Sequence, residues 1–129
     1  MQEKDLFEYA VIRVVPYVER EEFINVGVIL YCKHQDFLGV KWSLDESFVK
    51  QFAPHLDLVE VHQHLCSFDI ISKGGTDGGT IGMMDLPGRF RWLTATRSTI
   101  LQSSNVHPGF TEDAQATLDH LFSQLVLRK

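Results

Sequence analysis

Hydrophobic and polar positions follow a strand-like pattern through the first third of the chain. The segment "EYAVIRVVP", Glu8 to Pro16, is rich in β-branched residues and is stopped by a proline, which predicts a strand. After the polar "YVERE", the run "EFINVGVILYC" repeats the pattern to Cys32, and "FLGVKWS", Phe37 to Ser43, predicts a third and shorter strand beyond the break at "KHQD". Links of about five residues join neighbouring strands as hairpins, so the three form an antiparallel meander. The period then becomes helical. "SLDESFVKQFA" offers Ser43 or Asp45 as N-cap, with Phe48, Val49 and Phe52 at helical spacing and Pro54 as the stop. "LDLVEVHQHLCSFDIIS" places Leu58, Val61, Leu65, Phe68, Ile70 and Ile71 at near-helical intervals and predicts a second helix.

Five glycines in the ten residues of "KGGTDGGTIG" predict a loop. "RFRWLTATRSTILQSS" fits either period, and the reading adopted is a fourth strand at "RSTILQ" preceded by a short helix or an extended approach. "NVHPG" reads as a turn. "TEDAQATLDHLFSQLVLRK" is the clearest helix. Thr111 is its expected cap, Glu112 and Asp113 sit at its positive end, and Ala114, Leu118, Leu121, Phe122 and Leu125 form its apolar stripe. The expected architecture is one α+β domain over residues 1–129: a mainly antiparallel sheet of about four strands, the three-strand meander plus the later strand, with helices packed on one face and a C-terminal helix.

Composition narrows the function classes. A chain of 129 residues with 44% hydrophobic content buries one core, not two. No apolar run approaches the roughly 20 residues of a membrane span, and "MQEKDLFEYA" carries charge where a signal peptide carries an apolar segment. Cys32 and Cys66 sit in apolar stretches, which favours a reduced, cytoplasmic protein. The net charge of −5 argues against a dedicated nucleic-acid binder. Its distribution matters more. Leu86 to Thr111 contains no acidic residue and carries Arg89, Arg91 and Arg97, a segment of +3 within a remainder of −8. A basic island in an acidic chain is a candidate anion or partner site, although these arginines would also serve as ordinary surface ion pairs.

Parity along the second strand raises a second candidate. Its even residues, Ile24, Val26, Val28, Leu30 and Cys32, are all apolar and read as core, while the odd set mixes Phe23, Asn25, Gly27, Ile29 and Tyr31. A hairpin centred on Glu19 places Arg13 opposite Asn25, and Gly27 beside them would clear space above the sheet. That predicts a polar pocket in which Arg13, Asn25 and Gly27 share a face. The competing account makes Gly27 the mark of a bulge and Arg13 an edge residue with its stem on the sheet and its head in water.

Other motifs carry little chemistry. The glycine loop lacks GxxxxGK[ST] and a leading strand, so it reads as a mobile surface loop rather than a phosphate cradle. Six histidines occur without metal-ligand spacing, and His62 and His64, two apart on a helix, point in different directions. Neither a metal nor a cofactor is expected, and no Cys/His nucleophile signature accompanies Cys32 or Cys66. In "RFRWLTATRSTILQ", guanidinium forks beside Ser98 and Thr99 suit a carboxylate or phosphate. Stacking of bases on Phe90 or Trp92 is the minority reading.

Three segments, "YAVIRVVPYVEREEFINVGVILYC", "RFRWLTATRSTILQSSNVHPG" and "TEDAQATLDHLFSQLV", together resemble the bacterial domain-of-unknown-function family 3037, from Tyr9 to about Val126. The resemblance draws attention to Arg13, Glu22, Phe23, Asn25, Gly27, Arg89, Arg91, Trp92, Arg97, Ser98, Thr99, His107 and Gly109. Where the family pattern has Gly before the Glu of the second strand, this chain has Glu21. The family is often encoded beside a HipA-like kinase-fold protein, which implies a protein partner, and it brings no established reaction. The expectation is a non-enzymatic accessory or regulatory binding protein of the cytoplasm, with no membrane attachment. Its anion-binding cleft would be drawn from Arg13, Asn25, Gly27, Arg89, Arg91, Arg97, Ser98, Thr99 and His107, and would take a small-molecule anion or an anionic group on a partner. The alternative is an enzyme acting on a phosphorylated or nucleic-acid substrate, with His107 transferring protons and the arginines stabilising charge. A third possibility is that these residues only pin the last strand to the sheet.

Overall fold

The computed structural model describes residues 4–95 and 99–127. The expected meander is present: β1 (Asp5–Val14), β2 (Ile24–Cys32) and β3 (Phe37–Trp42) follow one another antiparallel. Next come α1 (Glu46–Phe52) and α2 (Leu58–Lys73), capped by the Asp45 and Asp57 carboxylates, which accept from backbone N–H groups one turn in. The glycine segment is not wholly loop. It holds a 3-10 turn, Thr76–Gly78, and the four-residue α3 (Gly79–Gly82), followed by α4 (Leu86–Thr94) with Asp85 as its cap. The chain then gives β4 (Leu101–Ser103), β5 (His107–Thr111) and α5 (Ala114–Leu125).

The sheet order is β3-β2-β1-β4, and β5 also pairs with β1. β4 lies against Ile12–Val14 and β5 against Asp5–Tyr9, so the two act as one interrupted edge strand. Buried Ser104 bridges the gap: its N–H donates to the Val11 carbonyl, and its Oγ accepts from Val11 N–H, each at 2.8 Å. The expected turn at "NVHPG" is therefore corrected, because His107 to Gly109 begin a strand. Proline is tolerated there because β5 is an edge strand, where a missing N–H need not break a ladder. Gly109 is required by the packing of Phe7, whose ring would lie 2.5 Å from a Cβ at that position. The cap of α5 is also corrected. Asp113, not Thr111, accepts from Ala116 N–H, while Thr111 Oγ1 accepts from Asp113 N–H and bonds the Thr117 hydroxyl.

Helices α1, α2 and α4 lie on one face, as expected, over a core that includes Ile12, Val14, Ile29, Val61, Leu65, Phe90 and Leu93. Helix α5 takes the opposite face, packing Leu118 and Phe122 against Val28, Leu30 and Cys32. β2 is thus buried on both sides, which explains its nearly unbroken apolar run.

One irregularity controls the site. From Glu8 to Ile12 the β1–β2 partners keep one register, Ile12 opposite Gly27, but Arg13 lies opposite Asn25 and Val14 opposite Ile24. Val26 is the extra residue of a β-bulge. The even residues of β2 are therefore divided: Ile24 and Val26 join the α2 side, whereas Val28, Leu30 and Cys32 face α5.

Candidate functional site

Arg13, Asn25 and Gly27 do not share a face. Arg13 and Asn25 are cross-strand partners on the α5 side. A Cβ on Gly27 would instead meet Ile12 Cδ1 at 3.0 Å, and the Lys41 carbonyl oxygen and Trp42 Cβ at 2.9 Å each. Its space is filled by the core on the α2 side. Val26 already occupies that side of the bulge, so the next residue has no room for a side chain. The bulge account of Gly27 is the one observed, and the three-residue pocket is corrected to a pair.

That pair is incompletely bonded. Asn25 Nδ2 donates to the Leu125 carbonyl at 3.2 Å, closing one open acceptor at the C-terminal end of α5. Because that carbonyl only accepts, the amide must present Nδ2 to it, and Oδ1 is left buried with no partner. Arg13 places its guanidinium carbon 4.0 Å from the centroid of the Phe23 ring, a cation–π contact. Its Nε is also buried without a hydrogen bond, and no described carboxylate forms an ion pair with it.

The main contacts of α5 are with β2 and β3, so the β1–β4 end of this face is uncovered. A groove of about 300 Å³ opens there, lined by Arg13, Val15, Val18, Glu21, Phe23, Gln102 and Ser103. Gln102 is the partner of Arg13 on β4, and its Nε2 donates to the Thr99 carbonyl. Phe23 walls this groove from a second hollow of about 280 Å³, formed with Phe48, Phe52, Leu125 and Leu127. Phe52 in turn borders a third, smaller hollow beside Tyr17 and His55.

The other candidates are dispersed. Arg89 is structural. Its Nη1 donates to the Ile71 and Ser72 carbonyls at 3.1 and 2.8 Å, and its Nε donates to Met84 O at 3.0 Å. It closes the end of α2 and ties the glycine segment to α4. Arg91 lies on the exposed side of α4 near Tyr31, whose phenol titrates above its ordinary value because of burial and then Glu8, with Arg91 opposing. Both arginines belong to a helix on the face opposite Arg13. Thr99 Oγ1 donates to the Leu101 carbonyl within its own turn. Arg97 and Ser98 lie outside the described residues. His107 is exposed and packs its ring on Tyr9 at 5.4 Å. Tyr9 is four residues from Arg13 along β1, about 13 Å at strand rise. The two side chains thus have different neighbours along β1, His107 on Tyr9 and the Arg13 guanidinium on Phe23.

The exposed aromatic wall of Phe23, Phe48 and Phe52 was missed in the sequence. Phe48 and Phe52 read as the apolar stripe of α1, yet they are 41% and 37% exposed and Phe23 is 43% exposed. Val49 alone among α1 residues is buried, and a seven-residue helix gives the pattern too little length to reveal that. Among the described residues, no group of three or more His, Cys, Asp or Glu side chains is placed to hold a metal ion. Cys32 and Cys66 are free thiols, and no described helix is long and apolar enough to cross a membrane.

The fold and site define a single-sheet α+β protein with an open groove at the hairpin end of the sheet. Residues 9–126 match the family model described as protein of unknown function DUF3037, and the chain belongs to that family. Searches of curated proteins and of solved structures return no match.

Proposed function

We propose that this protein is a non-enzymatic accessory or regulatory protein of the cytoplasm that binds an anionic group at Arg13. The observation that carries the reading is the guanidinium lining an open groove, its Nε buried without a hydrogen bond and the group in no ion pair among the described residues. A buried charged donor without a partner costs more than a neutral one, and proteins retain such groups where a ligand completes them. Phe23 holds the fork in place, so little side-chain entropy is lost when an anion docks. The anion could reside on a protein partner, and the family association makes a HipA-like kinase-fold protein the first to test.

The ¹⁵Nε–¹Hε signal of Arg13, assigned by its loss in Arg13→Lys, reports directly on this site. Titration with sodium acetate and with sodium phosphate at constant ionic strength should move it saturably, with no such movement at Arg89. A signal that drifts linearly with both salts would sink the reading.

A further inference from the structure

The anion site does not stand alone. Phe23, whose ring holds the Arg13 guanidinium, is also the wall of the neighbouring hollow, where Phe48 and Phe52 stand beside it. Single exposed apolar side chains are ordinary, but adjoining aromatics around one depression mark an interaction surface. An arginine set among aromatics is also the composition in which binding energy concentrates at protein interfaces.

The charges nearby select the kind of anion. Glu21 lines the same groove, and Arg20 is engaged with Glu22. Arg89 is spent on three carbonyls on the other face of the sheet. The C-terminal, negative end of α5 borders the adjoining hollow through Leu125. Among the described residues, a dianionic phosphate would therefore meet one cation without an ion pair together with a carboxylate and a negative helix end. A carboxylate needs only one guanidinium fork, and the planar donors match it.

From this we infer that the groove and its aromatic wall form a docking surface for a partner-protein segment that places an Asp, Glu or C-terminal carboxylate on Arg13 and apolar side chains against Phe23, Phe48 and Phe52. The inference rests on Arg13 being the anion-binding group and goes beyond it in naming the partner's chemistry.

The test is selection of a random peptide library on the intact protein, with Arg13→Ala and Phe48→Ser as counter-targets. Phe48 is exposed, so its variant should keep the fold, and circular dichroism with a thermal melt checks both. Enriched peptides should carry apolar residues beside an acidic group. They should lose at least about tenfold in affinity on either variant, and again when the acid is replaced by its amide. No enrichment, peptides that bind Arg13→Ala equally well, or peptides without a carboxylate would overturn the inference. So would phosphoserine versions binding about tenfold more tightly through Arg13, or a dimer of this chain that Phe48→Ser converts to monomer. The acetate titration separates the two failures. A saturable Arg13 shift without peptides overturns the docking surface and leaves the anion site standing, whereas neither signal removes both.

Discussion

Replacing Gly27 with alanine separates two accounts of the same residue. If Gly27 cleared space for a ligand, a methyl group there would weaken binding and leave stability untouched. The structure gives the opposite expectation. An added Cβ would lie 2.9 Å from the Lys41 carbonyl oxygen, 2.9 Å from Trp42 Cβ and 3.0 Å from Ile12 Cδ1. Two of these atoms belong to the neighbouring strand at or next to its main chain and cannot rotate away. The backbone angles at Gly27 are not of the left-handed kind, so the penalty is steric. Overpacking of a tight site costs about 1–3 kcal/mol, and the rigidity of these neighbours places Gly27→Ala in the upper half, about 2–3 kcal/mol. For a chain of this length that is a fall in Tm of roughly 6–12 °C. Gly78→Ala is the control, because its φ is −85° and nothing lies closer than 3.6 Å to its Cβ position. It should lie within about 1 kcal/mol of the parent, on the stabilising side. Thermal and urea unfolding followed by far-UV circular dichroism measure both. A Tm for Gly27→Ala within about 2 °C of the parent would refute the packing argument.

Arg89→Met should destabilise the fold by about 2–3 kcal/mol, because the Ile71, Ser72 and Met84 carbonyls lose a charged donor. The same variant should leave the Arg13 response to acetate unchanged, and loss of that response would return Arg89 to the anion site. Glu21 has φ 56°, a left-handed conformation that glycine adopts without strain. Glu21→Gly should be neutral or stabilising by up to about 1 kcal/mol in urea unfolding, since relief of the left-handed conformation outweighs the added chain entropy. Asp119 titrates below its ordinary value through hydrogen bonds from Lys41 and then Gln115. A depressed carboxyl pKa gives stability that is present above the unfolded value and is lost as pH falls through the folded one. The small stability advantage over Asp119→Asn at neutral pH should therefore vanish in acid.

The meander, the two long helices and the existence of a fourth strand are legible in the sequence because each rests on a period or a cap that a short window contains, although the fourth strand, expected at "RSTILQ", begins among the described residues only at Leu101 and its place beside β1 is not legible. The bulge is not. Sorting β2 by parity assumes an unbroken ladder, and one extra residue at Val26 reverses the assignment for everything on one side of it. Arg13 opposite Asn25 was foreseeable only because that pair lies on the hairpin side of the bulge, where the register set by the turn still holds. The nearly continuous apolar run of β2 did contain the signal that both its faces are covered, and hence that α5 lies across the sheet from α2. The acid-free segment from Leu86 to Thr111 misled for a different reason. Neighbours in sequence are not neighbours in space here: α4 packs on one face of the sheet and Gln102 meets Arg13 on the other.

Arg13 itself decides whether the uncovered end of the sheet is a working surface or a structural detail. If the guanidinium serves the fold, its removal must destabilise. If it serves a ligand, the free protein carries an unpartnered buried Nε as a cost, and an apolar side chain of similar length should relieve it. Arg13→Met keeps a flexible stem against Phe23, exchanges the cation–π contact for a sulfur–aromatic one of similar size, and removes the unsatisfied donor. Leaving a buried donor unpaired costs about 1–3 kcal/mol. Part of that is already recovered by solvent on the outer guanidinium nitrogens, so the variant should be more stable than the parent by about 1 kcal/mol. It should also show no saturable response to acetate. Urea unfolding at neutral pH measures the first and the amide spectrum the second. Stability lost in Arg13→Met would mean that the arginine holds β1, β2 and β4 together, and the groove would then have to be explained without it.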